Sequence, residues 1–480
     1  MDNSTTVKIG KKAFISSALI LLALMILSGV LTRLIPSGSY ERVLDSGKES
    51  ILPNSFQYVD KIKLPVYRWF TSPVEVLFSS DALVIITIII FLMIIGGAFS
   101  VINKANVLKL IINSIVYKFK EKRYLLIWII VFVFMTFGSI LGMFEEIIVL
   151  IPVVISLSYS LGWDSLMGLG MSILATCFGF SAAISNPFTL GIAQKLAGLP
   201  IFSGALFRIV FFIVTYVILS LFLVNYAKKI EKDPKKSLVY GEENIYKNNL
   251  SDDISKEKTK GEKRAVNFFI FMVCFIVISI ISLSFIGNLS DYSMVVVGIL
   301  FLITGIFTGL LSDIKNSEIF KSFLAGIMGI LPGIILILMA MSIKYIISSG
   351  GIMDTILYNT SNFISQTNKV FASYIMYALV LIMNFFIGSA SAKAFLVIPI
   401  ISPLSDIVGL TRQTAVQAFA FGDGFSNILY PTNAVLLISL GVASVSYTKW
   451  FKFVIKLQIF VLFISTIFLT IASLINYGPF

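Results

Sequence analysis

The sequence predicts an all-α polytopic membrane protein with two inverted repeats, each containing a re-entrant hairpin and a broken transmembrane helix. Three observations predict this fold. Hydrophobic residues make up 57% of the 480 residues, and the mean hydropathy of +0.95 lies far above the range of soluble proteins. Apolar runs of membrane-spanning length recur along the chain. Helix-breaking motifs recur in the same order in both halves.

Several apolar runs approach or exceed the roughly 20 residues that a helix needs to cross the hydrocarbon core of a bilayer. They are Phe14 to Leu34, Ala82 to Ile102, Ile201 to Tyr226, Val266 to Ile286, Met294 to Leu311, Ile327 to Ile347 and Phe451 to Ile475. The first run follows Lys8, Lys11 and Lys12, as in a signal peptide, but it is too long for one and no small-residue cleavage site follows. We therefore expect it to be retained as a span.

Basic residues lie beside the predicted spans, although a net charge of +12 would also suit a nucleic-acid-binding protein. In a polytopic protein Lys and Arg accumulate on the cytoplasmic side and set the topology. The clusters at 104–123 and 228–264 are therefore predicted to be cytoplasmic, which makes 36–73 an external loop. The segment 228–264 has the composition of a disordered or loosely helical polar linker. It divides the chain into a first repeat (1–227) and a second repeat (265–480).

The first repeat contains a predicted re-entrant hairpin at 124–161 and a predicted broken helix at 163–199. Phe137-Gly138-Ser139 and Gly142 separate the two apolar segments of the hairpin, and Ser185-Asn186-Pro187-Phe188-Thr189 interrupts the helix. Helix-breaking residues at membrane depth leave backbone polar groups that lipid does not satisfy. Such loops therefore predict a polar site inside the protein.

The second repeat has the same order of elements. A hairpin is predicted at 371–408 around Ile387-Gly388-Ser389, and a broken helix at 410–444 around Ser426-Asn427 and Pro431-Thr432-Asn433. If the first hairpin enters from the cytoplasm, counting the spans places the entry of the second on the external face. The two hairpins then point at each other from opposite sides, so the repeats are predicted to be inverted.

Charged residues occupy both predicted hairpin tips. Glu145 and Glu146 lie at the first tip, where an ionised carboxylate costs roughly 3 kcal/mol unless it is paired or hydrated. We favour a role as a counter-charge for a cationic substrate group or as a proton carrier, over a pair with a buried lysine or a half-helix cap. Lys393 lies at the second tip. It is expected either to meet a substrate carboxylate or to neutralise a glutamate across the repeat interface.

The loops of both broken helices offer hydroxyl, amide and freed backbone groups, and the half-helices that follow present positive N-terminal ends. This chemistry predicts carboxylate binding; the alternative is a kink satisfied by neighbouring helices. The residues predicted to contact substrate are Ser185, Asn186, Thr189, Ser426, Asn427, Thr432 and Asn433. Freed carbonyls in the same loops also suit Na⁺, with Asp423 as a charged ligand or, alternatively, as a helix cap.

A set of motifs carries a family resemblance. They are Ile35-Pro36-Ser37-Gly38-Ser39-Tyr40-Glu41-Arg42, Arg412-Gln413-Thr414-Ala415, Asp423-Gly424-Phe425-Ser426-Asn427, Pro431-Thr432-Asn433 and Lys449-Trp450. The chain resembles the YfcC group of the dicarboxylate anaerobic carrier family over nearly its whole length. The resemblance implies a member of the ion transporter superfamily, with a scaffold part, a moving transport part and commonly a homodimer. Members are labelled as carriers of dicarboxylates or of basic amino acids, so the substrate stays open.

These features predict a secondary active transporter, either an antiporter or a carrier coupled to Na⁺ or H⁺, for a small carboxylate-bearing solute. If Lys393 pairs with one glutamate, the remaining negative charge favours a basic amino acid such as arginine or ornithine. A dicarboxylate carrier and a channel are the alternatives. An enzyme is not expected, because the sequence has no His, no metal-ligand cluster and no nucleotide-binding loop. We expect no cofactor or nucleic-acid partner, and a homodimer in the bacterial cytoplasmic membrane.

Overall fold

The computed structural model describes residues 11–45, 48–80, 82–241, 259–285 and 293–478, and the regular structure in these ranges is predominantly helical. The helices of the first half are α1 (Lys11–Leu34), α2 (Arg68–Glu75), α3 (Ala82–Lys104), α4 (Val107–Phe119), α5 (Arg123–Thr136), α6 (Ile151–Ser160), α7 (Ser165–Leu169), α8 (Ala175–Ala182), α9 (Ile192–Leu196) and α10 (Ala205–Lys232). Those of the second half are α11 (Lys260–Phe285), α12 (Ser293–Leu311), α13 (Asn316–Ser349), α14 (Met353–Ile364), α15 (Lys369–Phe386), α16 (Ala390–Ile407), α17 (Arg412–Ser426), α18 (Ala434–Val442) and α19 (Tyr447–Leu474).

Within the described ranges, nine helical stretches are long and apolar enough to cross a membrane. They are Ser17–Leu34, Ala82–Lys104, Arg123–Leu141, Ser165–Leu196, Ala205–Lys232, Asn316–Ser349, Lys369–Phe386, Ala390–Ile407 and Tyr447–Leu474. Apart from Ser165–Leu196, which is almost entirely buried, these stretches expose large apolar side chains, as lipid contact requires. The prediction of an α-helical polytopic membrane protein is therefore confirmed.

Two small β-sheets lie in the segment between α1 and α2, which the all-α prediction did not include. Strand β1 (Gly38–Ser39) pairs antiparallel with β4 (Gln57–Tyr58), and β2 (Arg42–Asp45) pairs antiparallel with β3 (Lys48–Ile51). This segment is attached to α14, because Asp354 accepts a 2.9 Å hydrogen bond from the Tyr40 backbone N–H and forms a 3.0 Å ion pair with Arg42.

Residues 242–258 of the predicted polar linker lie outside the described residues. Before them, α10 continues to Lys232 and a 3₁₀ turn follows at Pro234–Lys236. Ser237 then donates a 2.6 Å hydrogen bond to Asp164, whose other carboxylate oxygen accepts from the Met167 backbone N–H and caps α7. The start of the linker is thus held against the start of the first broken helix.

Close helix contacts arrange one group of helices around α13. A Cβ atom on Gly326 of α13 would lie 2.1 Å from the carbonyl oxygen of Gly96 on α3, so only glycine permits this approach. Helix α13 also packs along α1 and α2, and α3 packs along α12. A second group, in which α8 contacts α5, α10 and α17, contains the interrupted helices.

Each half contains one helix pair joined by a short non-helical turn. Below, the pairs α5–α6 and α15–α16 are called the first and second hairpin and their turns the tips, whatever their position in the membrane. In the first half α5 ends in a π-helical turn, Phe137–Leu141, and a 3₁₀ turn, Glu146–Val149, leads into α6. Between these turns Gly142 adopts a left-handed conformation (φ +65°). In the second half α15 ends at Phe386 and α16 begins after Ser389, whose hydroxyl accepts from the Ala392 backbone N–H at 3.4 Å.

Candidate functional site

The two interrupted helices cross each other in the interior. The first runs from α7 through a π-helical turn to the end of α8, and the second is α17. A Cβ atom on Gly424 would lie 2.5 Å from the Cα of Ser181, so the two backbones touch directly. Beside the crossing, the rings of Phe178 and Phe425 meet edge to face with centroids 5.3 Å apart. Both helix breaks follow this crossing along the chain.

The first break lies between α8 and the π-helical turn Pro187–Gly191. Fully buried Asn186 caps this turn, because its Oδ1 accepts from the backbone N–H groups of Phe188 (2.9 Å) and Thr189 (3.1 Å). The carbonyl of Ser139, on the first hairpin, accepts from the Ser185 backbone N–H at 3.1 Å. The freed backbone groups of this break are thus bound by protein rather than facing lipid.

The second break lies between α17 and α18, and asparagines organise it. Asn433 caps α18 by accepting from the Leu436 backbone N–H at 3.1 Å, and its Nδ2 donates to the Oδ1 of Asn427 at 3.0 Å. Asn384, from α15 of the second hairpin, donates to the hydroxyl of Ser426 at 2.7 Å. Side chains from the hairpin and from the break therefore form one polar network.

A buried ion pair lies at the centre of this network. The Nζ of Lys393 is 2.7 Å from the Oδ1 of Asp423, and neither side chain is exposed. Lys393 also donates to the Ile387 carbonyl at 3.0 Å and to the Oδ1 of Asn384. From the first half of the chain, the Thr189 hydroxyl donates to the Oδ2 of Asp423 at 3.3 Å. The pair thus joins the second hairpin, the second interrupted helix and the first break.

In the structure Lys393 pairs with Asp423, a partner that the sequence analysis did not suggest; its predicted role toward a substrate carboxylate stays a prediction. Asp423 belongs to the last turn of α17 and does not act as a helix cap. Because a buried charge without a partner is strongly unfavourable, each member of this pair fixes the other.

The two tip glutamates have different surroundings. The Oε2 of Glu146 accepts from the Phe144 backbone N–H at 3.2 Å, and its side chain is buried. Glu145 is half-buried and lies on the wall of a cavity. Gly142 brings the first tip against the first break, since a Cβ atom there would lie 2.4 Å from the Oδ1 of Asn186.

The cavity has a volume of about 270 Å³ and lies where both hairpin tips, the second break and helices α3 and α13 meet. Its polar lining is Glu145, Lys344, Ser389, Thr432 and Asn433, with Gly388 beside them. Its apolar lining is Val76, Val84, Ile85, Ile88, Phe91, Phe144, Ile148, Ala340, Met341, Phe385, Phe386, Ala392, Ala434, Val435 and Ile438. A mostly apolar pocket with a few polar groups is the usual form of a small-molecule site.

The predicted site residues therefore fall into two sets. Glu145, Thr432 and Asn433 line the cavity. The others bind to one another or to nearby backbone in the buried network; they are Glu146, Ser185, Asn186, Thr189, Lys393, Asp423, Ser426 and Asn427.

Lys344 is a cavity residue that the sequence analysis missed. The signal for it was the single lysine within the apolar run 327–347, where a charge is costly. Among the described residues, no group of three or more Asp, Glu or Cys side chains is arranged to hold a metal ion.

Comparison with known proteins finds bacterial relatives and a transporter structure of low similarity. The chain is 28% identical over 396 residues to an Escherichia coli K12 protein named "Putative basic amino acid antiporter YfcC", covering 81% of this chain and 78% of that protein. It is 24% identical over 503 residues to an uncharacterised Haemophilus influenzae protein, covering 95% and 96% of the two chains. The structure of the YdaH transporter of Alcanivorax borkumensis aligns with a TM-score of 0.42 at 16% identity, over 97% of this chain and 99% of that one. That score is too low to support an argument.

The family assignment comes from a match along almost the whole chain. The model of the DcuC family, described as C4-dicarboxylate anaerobic carrier, matches residues 14–474. This match includes both hairpin tips, both helix breaks and the helix that bears Lys344. The chain is therefore a membrane transporter that belongs to the C4-dicarboxylate anaerobic carrier family.

Proposed function

We propose that this transporter is a secondary active carrier for a small solute with a carboxylate and a cationic group, in particular a basic amino acid such as arginine or ornithine. The observation that carries the proposal is the position of Glu145 on the cavity wall while Lys393 is bound by Asp423. Lys393 therefore does not serve as the counter-charge of Glu145. The name of the Escherichia coli relative supports the same substrate class.

Electrostatics favour a cationic group beside Glu145. Two further carboxylates, those of Glu146 and Asp423, act on Glu145, and Asp423 is paired with Lys393. In a site of low dielectric, a guanidinium or ammonium group placed there gains more than it would in water. The hydroxyls of Ser389 and Thr432 add neutral acceptors for the remaining donors of such a group.

The cavity volume favours a small solute. About 270 Å³ lies near the lower end of the ~300–1,000 Å³ range of small-molecule pockets. A peptide does not fit such a space, whereas one amino acid does. The apolar wall formed by α3 and α13 suits the methylene chain of arginine or ornithine.

The test is exchange in proteoliposomes that contain the purified protein. We expect Glu145→Gln to abolish counterflow of arginine and ornithine, because an amide has no charge to pair with the cation. The matched control is Glu146→Gln, the same change at the next residue, whose side chain binds the Phe144 backbone. It should keep exchange if folded. Unchanged arginine counterflow in Glu145→Gln would contradict the proposal.

A dicarboxylate carrier is the second candidate, and the description of the family favours it. A dicarboxylate would meet repulsion from an ionised Glu145, so we place it second. Succinate or malate uptake by the native protein, with no response to basic amino acids, would reverse this order. Saturable counterflow separates a carrier from a channel, and recovery of unchanged substrate separates transport from enzymatic conversion.

We also propose that the two halves are inverted repeats, 1–227 and 265–480, joined by the linker 228–264, with re-entrant hairpins at 124–161 and 371–408. The similar order of turns and breaks in the two halves supports this arrangement. Single cysteines at positions 122 and 162 should then react with an impermeant reagent from the cytoplasmic side only. Labelling of these two positions from opposite sides would contradict the first hairpin.

Three further features belong to the proposal. Asp423 is the candidate for Na⁺ or H⁺ coupling, so Asp423→Asn should remove any dependence of uptake on either ion.

The carrier is proposed to be a homodimer in the bacterial cytoplasmic membrane. The dimer is what the resemblance to the ion transporter superfamily implies, and the bacterial relatives support the location. The mass of the purified protein, corrected for detergent, tests the dimer.

A further inference from the structure

We propose that Lys344 determines specificity by binding the carboxylate of the transported solute, on the wall of the cavity that α13 supplies. This inference rests on the proposed function and assigns the second charged contact of that site. Lys344 lies on α13, outside both hairpins and both helix breaks. It nevertheless lines the same cavity as Glu145.

The charge pattern of the cavity carries the inference. Among the described residues that line it, two are charged, and they have opposite signs: Glu145 and Lys344. An amino acid has the complementary pattern, one carboxylate and at least one ammonium group. Because both side chains line one cavity of about 270 Å³, a single small solute can contact both. A lysine inside an apolar membrane-spanning helix is costly, and such residues are typically functional.

The polar residues behind the cavity are less suited to this role. Asn186 uses its Oδ1 to cap a helical turn, and Lys393 is held by Asp423 and the Ile387 carbonyl. Asn433 lines the cavity, but its Oδ1 accepts from a backbone N–H and its Nδ2 donates to Asn427. A lysine ammonium has three donors and a full charge, so Lys344 is the stronger carboxylate ligand on this wall.

Glu145 and Lys344 lie on different elements of the cavity wall. Glu145 belongs to the first hairpin, whereas α13 packs mainly against α1, α2 and α3 and also contacts α18. The glycine contact between Gly326 and Gly96 fixes α13 on α3 at backbone distance. A solute in the cavity therefore bridges two groups of helices, with its cationic group on one and its carboxylate on the other.

The experiment compares arginine with agmatine, which has the same guanidinium group and chain but no carboxylate. Binding to the purified full-length protein is measured by competition against labelled arginine. The native protein should prefer arginine by about 10-fold or more. Lys344→Gln should weaken arginine binding by a similar factor, leave agmatine unchanged, and bring the ratio close to one. Lys344→Arg keeps the cation and should preserve the preference.

The matched control is Lys321→Gln, the same change on an exposed lysine of the same helix. It should leave both affinities unchanged. A native preference for arginine that persists in Lys344→Gln would overturn this inference and leave the proposed function standing. Absence of arginine binding by the native protein would refute the proposed substrate class and this inference with it. If Lys344→Gln does not fold, Lys344→Met in the same assay gives the same comparison.

Discussion

Lys393 at the second hairpin tip and Glu145 at the first have different surroundings. At the second tip, Lys393 is buried and held by Asp423 at 2.7 Å, and Asn384 adds further hydrogen bonds. At the first tip, Glu145 lies on the wall of the cavity. The two halves thus share an order of helices and turns but differ in what their charged residues contact.

This difference suggests a structural role for the charges of the second half and a ligand-binding role for Glu145 of the first. A buried ion pair fixes the geometry around it, because either charge alone would be strongly unfavourable. A carboxylate on a cavity wall is in a position to meet a ligand. Under the proposed function, the first half presents a charge to the solute, whereas the buried pair of the second half stabilises the interior. Three predictions test this comparison.

The largest effect is expected from Lys393→Met, which leaves the buried carboxylate of Asp423 without its cation. The loss of one partner of a buried pair costs about 3–5 kcal/mol, so the melting temperature in detergent should fall sharply. The double change Lys393→Met with Asp423→Leu removes both charges and should recover most of the lost stability. Native-like melting of the single variant would remove the distinction between the tips.

An intermediate effect is expected from the glycines that position each hairpin. A Cβ atom on Gly179 would lie 1.9 Å from the Met135 carbonyl oxygen of the first hairpin, whereas one on Gly388 would meet no atom within 4 Å. Gly179→Ala should therefore destabilise the protein by about 1–3 kcal/mol. Gly388→Ala serves as its control, and its thermal unfolding in detergent should match that of the native protein. Equal loss in both variants would show that the first hairpin is not fixed more tightly.

The smallest effect is expected from the two cap asparagines. Asn186→Ala and Asn433→Ala each remove a helix cap, which costs about 1 kcal/mol. Only Asn433 lines the cavity, so its loss should also weaken solute binding. The sequence analysis assigns both loops to carboxylate binding, so it instead predicts that Asn186→Ala weakens the binding of every carboxylate-bearing substrate. Competition binding with both variants decides between these expectations.

The sequence was informative about features that follow from composition and from backbone chemistry. Apolar runs gave the membrane class, because lipid admits few other solutions. Gly, Ser, Asn and Pro clusters marked the places where α8 and α17 end, since such residues rarely continue a helix at membrane depth. The small sheets between α1 and α2 were missed, because strands of two to four residues carry too little alternation to detect.

The contacts of the charged side chains could not be predicted from the sequence. Lys393 and Asp423 are 30 residues apart, and their contact depends on how the second hairpin packs against α17. Lys344 lies outside every helix-breaking motif, and it reaches the cavity because α13 packs beside α18. Such contacts are set by tertiary packing, which local pattern does not encode.

The crossing at Gly424 restricts how relatives of this protein can diverge. The atoms of Ser181 nearest to a Cβ atom at 424 include the backbone nitrogen and Cα, which every amino acid has. No replacement at 181 makes room, so a larger residue at 424 has no single compensating mutation. Changes of substrate specificity are therefore expected at the side chains that line the cavity, because these can be replaced one at a time. The close approach at Gly424 is therefore expected to persist in relatives whose cavity walls differ.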